Sequence, residues 1–97
     1  MGTQDSERLF MEELKNEFFE NVKENLKKLP EFYENKNFIE IKKIAHNIKG
    51  TAGIFEMVKG SEIGKELQAA ADTKDEIRVK VLIDELIKYM VSEGVEI

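Results

Sequence analysis

The chain contains a single histidine, His46, and its neighbours are unusual for a helix surface. Lys42 stands at i−4 and Lys49 at i+3, while Gly50 follows at i+4 and Gly53 at i+7. On a helix all four share the side of the imidazole. Two interior glycines cost a helix about 2 kcal/mol relative to alanine, so their presence needs a reason. A helix ending at Gly50 is one. Against it, the apolar spacing Ile48, Ala52, Phe55 runs through both glycines without losing phase. The better account is steric: the surface around His46 is cleared so that something broad can approach the ring. Ile39 at i−7 also falls on this outward face, with Ile54 near its far end, which makes a docking surface of small and apolar positions.

The chemistry open to such a group is narrow. A neutral imidazole has a free nitrogen lone pair and can attack activated phosphorus, giving a covalent phosphoramidate. Phosphoryl transfer depends mainly on positioning and on neutralising the oxygens, and a nearby lysine ammonium serves the second need. Other chemistries find no parts here. There are no cysteines, so thiolate metal sites, thiol nucleophiles and disulfides are excluded. A bundle di-iron site needs Glu-x-x-His pairs on two helices, but the residue three before His46 is Lys43. One histidine without cysteine is a poor basis for zinc. No Gly-x-x-x-x-Gly-Lys or Gly-x-Gly-x-x-Gly loop is present to cradle a nucleotide. The many carboxylate pairs read as solvated helix faces.

Four helices are expected to position His46. The first starts near Asp5 or Ser6 as N-cap, with the stripe Met11, Leu14, Phe18, Val22, Leu26, Leu29. Pro30 should bend it, and Phe32 and Tyr33 let it resume to about Glu34; a stop at Leu29 is the alternative. Asn37 and Glu40 have capping-box spacing. The second helix carries Phe38, Ile41, Ala45, Ile48, Ala52 and Phe55 in a 3-4-3-4-3 rhythm. At about 100° per residue, His46 sits about 130° from the centre of that stripe, facing solvent. Glu56 to Gly60 reads as the next turn, and a third helix turns Ile63, Leu67, Ala70 and Ala71 inward. Thr73 and Glu76 read as a capping box for a fourth helix from about Lys74 to Glu93, burying Ile77, Val81, Leu82, Leu86 and Met90 or Tyr89. Gly94 ends it.

Four amphipathic helices with short loops pack most simply as an all-α, antiparallel up-down bundle. The 97 residues suit one domain spanning 1–97, and 41% hydrophobic with 36% charged residues excludes disordered and low-complexity classes. The net charge of −5 argues against nucleic-acid binding. No apolar run is long enough to insert in a membrane, and no secretion signal is apparent. The cytoplasm is the expected compartment.

The string Ala45-His46-Asn47-Ile48-Lys49-Gly50 resembles the His-x-x-Lys-Gly signature of histidine phosphotransfer (HPt) domains, including the first domain of chemotaxis kinases. The resemblance covers about Phe18 to Met90. It implies a four-helix bundle with the phosphorylated histidine on the second helix, His46 as phospho-acceptor, Lys49 as charge partner and Gly50 as the clearing residue. It also implies that Gln68 on the third helix orients the imidazole by hydrogen bonding. Ile39, Lys42, Gly50 and Gly53 would then form the partner-binding face. The implied partners are a response-regulator receiver domain and a sensor histidine kinase, on a separate chain or the same polypeptide. No cofactor is expected in this chain, because the receiver would supply Mg²⁺ with its acceptor aspartate. One position departs from the family: Glu56 stands where such domains usually have glycine, which bears on the turn leaving the second helix and on the register of the third.

The expected function is thus a phosphoryl carrier, not an enzyme. The alternative is a four-helix adaptor that never carries phosphate, with His46 incidental. A small hydrolase using His46 as general base ranks below both, because the sequence offers no cleft and no second catalytic group.

Overall fold

A computed structural model describes residues 3–97, with side chains described from Asp5 onward. Four helices follow one another: α1 Thr3–Glu34, α2 Phe38–Ile54, α3 Val58–Asp72 and α4 Glu76–Ser92. Each packs on its chain neighbours and α4 closes back on α1, with the α2–α3 pairing the most extensive. This is the antiparallel four-helix bundle expected from the amphipathic pattern.

The core is built from stripes at helical spacing. Phe18, Val22, Leu26 and Leu29 of α1 meet Ile41, Ala45, Ile48 and Ala52 of α2, and Leu67, Leu82, Leu86 and Met90 complete the interior. Phe18 stacks on Phe55, ring centroids 5.3 Å apart and planes 15° from parallel, closing the end of α2 onto α1. Side chains of this size stabilise by about 1.5–3 kcal/mol each when fully buried.

α1 differs from its neighbours in length. Its 32 residues span about 48 Å, against 15 to 17 residues in the others. Its stripe therefore outruns the bundle: Met11, expected in the core, is exposed, as are Leu9 and Phe10. Asp5 is not the cap but lies in the first turn, where its carboxylate suits the helix dipole and pairs with Arg8 at 3.1 Å. Pro30 does not stop the helix. It removes one backbone donor, yet the chain stays helical to Glu34, and Phe32 and Tyr33 beyond it pack against the core.

Further along, the Asn37 cap is formed, its side chain accepting from the Glu40 N–H at 3.3 Å. Gly60, expected in a turn, lies inside α3 and is buried. The start of α4 also shifts. Asp75, not Thr73, is its cap, accepting from the Arg78 N–H at 3.2 Å, while Thr73 closes α3 by donating to the Ala70 carbonyl. With that shift the buried face becomes Val79, Leu82, Ile83, Leu86 and Met90, and Ile77 and Val81 point outward.

The three interhelical turns share one design. Lys36, Glu56 and Lys74 each adopt a left-handed backbone, with φ of 54°, 59° and 58°. Around each, paired backbone bonds satisfy the last helical carbonyls: Asn37 N–H to Phe32 O, Met57 N–H to Ala52 O, Asp75 N–H to Ala70 O, at 2.8 to 3.0 Å. These are Schellman closures. Glu56 thus occupies the conformation that glycine adopts without strain, and the turn closes as its two counterparts do.

Candidate functional site

His46 lies midway along α2 on the face turned away from the core, and its side chain is exposed. Its immediate neighbours Ala45 and Ile48 are buried, which fixes the rotation of α2 and so the outward direction of the ring. The backbone behind it is held closely. A β-carbon added to Gly64 of α3 would lie 3.0 Å from the Ala45 carbonyl oxygen and the Lys49 nitrogen, and 3.1 Å from the Lys49 α-carbon. Only a residue without a side chain lets α3 approach the turn that carries His46 this closely. One turn earlier on α3, Ser61 donates its hydroxyl to the Lys49 carbonyl at 2.8 Å. Sequence reasoning missed both residues; small residues spaced at i and i+3 on an otherwise apolar face are the signal that could have found them.

The antiparallel α2–α3 register then sets matching rungs. Asp72 of α3 meets Lys42 of α2, and Gln68 lies one turn before Asp72 on α3. His46 and Gln68 line one open hollow of about 470 Å³, with Phe38, Ile39 and Ala71 as its apolar lining and Lys42, Lys43, Asp72 and Lys74 as its charged lining. The closure at Glu56 preserves the register that brings Gln68 there.

The remaining predicted residues fall as follows. The Lys49 side chain is half-buried, at i+3 from His46. Gly50 and Gly53 are exposed within α2; a β-carbon on Gly50 would meet nothing within 4 Å, and one on Gly53 would make an ordinary 3.7 Å contact with the Ser61 hydroxyl. Ile39 is 70% exposed and Ile54 is 67% exposed. Lys42 is engaged elsewhere: its ammonium is 2.6 Å from the Asp72 carboxylate. That hydrogen bond and the ammonium charge hold the Asp72 carboxyl below the usual aspartate value. Among the described residues, no three histidine, aspartate or glutamate side chains converge as a cation site, and no helix is long and apolar enough to cross a membrane.

The bundle thus presents one imidazole at its surface, beside an open hollow and not inside an enclosed cavity. The family comparison makes this specific. The family model described as Hpt domain matches residues 13–92, and the chain belongs to that family, whose domains serve histidine phosphotransfer in phosphorelays. No match was found among curated proteins or among solved structures.

Proposed function

We propose that this chain accepts a phosphoryl group on His46 from a kinase or a receiver aspartate and relays it to a response-regulator receiver aspartate. The observation that carries the reading is the exposed imidazole on a face where Gly50 leaves open space that the fold itself does not require. In this reading Lys49 offsets charge on the phosphoryl oxygens, Gln68 orients the ring from across the hollow, and Ile39, Lys42, Gly50 and Gly53 meet the partner. The receiver brings the acceptor carboxylate and Mg²⁺, so the chain acts as a carrier and not as a catalyst, in the cytoplasm.

Incubation with a phosphorylated receiver tests this. Phosphate should appear on the chain in a form labile to acid and stable to base. His46→Gln should abolish the uptake while leaving helicity and melting temperature nearly unchanged, since the ring lies outside the core. Uptake that survives in that variant would remove His46 from the role.

A further inference from the structure

The mate of Lys42 is the feature that the relay reading leaves unused. Lys42 lies one helical turn before His46, on the same side of α2, so its flexible side chain can reach toward the imidazole or away from it. Its ammonium is bonded to Asp72, the last residue of α3, thirty positions along the chain, and the pair lines the same hollow as His46. The Lys42 side chain is 44% exposed and that of Asp72 62%, so the pair is open to solvent and a stronger anion can compete for the ammonium. A phosphoryl group on His46 is such an anion, with more charge and more acceptor oxygens than a carboxylate.

Resting on that reading of His46, we propose that Asp72 is a positioning residue for its phosphoryl chemistry: it holds the Lys42 ammonium off the imidazole in the unmodified chain and releases it to the phosphoryl group afterwards. The Lys42 hydrogen bond and charge lower the Asp72 carboxyl pKa, so the carboxylate stays ionised opposite the ammonium. The arrangement suits a carrier. A second ammonium fixed beside the ring would stabilise the phosphorylated form and hinder its discharge, whereas one shared with Asp72 gives up part of that stabilisation.

Potassium phosphoramidate tests this without any partner protein. A ring nitrogen forms the new N–P bond, the donor's P–N bond breaks, and ammonia leaves with the ring proton as ammonium. Uptake is followed by intact mass for the wild type, Asp72→Asn, Lys42→Met and the double variant, with melting curves as a check on folding. Asp72→Asn should raise the rate about two- to fivefold, the scale of an exposed ion pair. Most of that gain should vanish in the Lys42→Met background and fade at high salt. An equal gain in both backgrounds would overturn the proposal, since Asp72 would then act only as a local negative charge. No gain at all would overturn it as well. If the wild type takes phosphate from phosphoramidate but exchanges none with receivers, the relay reading fails and the positioning role stands. A wild type that takes up no phosphate on His46 overturns both.

Discussion

The outward face of α2 and the inward face of α3 each carry two glycines, and an added methyl group would fare differently on the two. At Gly64 it would press into the α2 backbone at 3.0 Å, where nothing can yield without moving the helix. At Gly60 it would meet the Tyr89 ring at 2.9 Å and the methyl end of the buried Met90 at 3.2 Å, so these side chains would have to shift. At Gly50 it would meet nothing, and at Gly53 only an ordinary contact. The α3 glycines are therefore explained by packing within the bundle. The α2 glycines weaken their helix with no packing return inside the molecule, which is what the proposed approach of a partner to His46 would call for.

Substitutions can break or sharpen this contrast. The largest effect is expected at Gly64→Ala, where overpacking of about 1–3 kcal/mol outweighs a helix-propensity gain of about 1 kcal/mol. The melting temperature should fall, and phosphate uptake should slow because the turn bearing His46 must shift; an unchanged melt would show that the seam is looser than its distances indicate. Gly50→Ala should do the opposite to stability, adding about 1 kcal/mol in denaturant unfolding, while phosphoryl exchange with a receiver slows severalfold. Equal or faster exchange in that variant would remove the steric reason for the bare face. The smallest change is expected at Glu56→Gly, which relieves a left-handed residue and should stabilise by roughly 0.5–1 kcal/mol, measured the same way. A loss of stability there would mean that the turn depends on the glutamate side chain.

What the sequence made legible follows from how local each signal is. The second helix was readable in both extent and rotation because its apolar residues keep one phase and Asn37 supplies a cap within three residues. The exposure of His46 followed from that rotation. In α4, apolar residues surround most of the helix, so two stripes competed, and only the cap at Asp75 and the contact with α3 select Val79 and Ile83 over Ile77 and Val81. Gly60 was misread because glycine marks turns far more often than close helix contacts. Met11 continues a proper stripe, but the stripe runs past the ends of the shorter helices that would cover it. The bond from Lys42 to Asp72 joins residues far apart in sequence, and no periodicity announces it.

The seam at Gly64 decides where adaptability can reside. With the Ala45–Lys49 backbone braced against α3 and Ser61 bound to it, the backbone that carries the imidazole is a fixed mount. If His46 carries phosphate as proposed, the adjustment must come from the partner. On that reading, changes that retune partner choice can fall on exposed side chains lining the hollow, such as Ile39, Lys43 and Lys74, which can be exchanged while the aim of the imidazole stays the same.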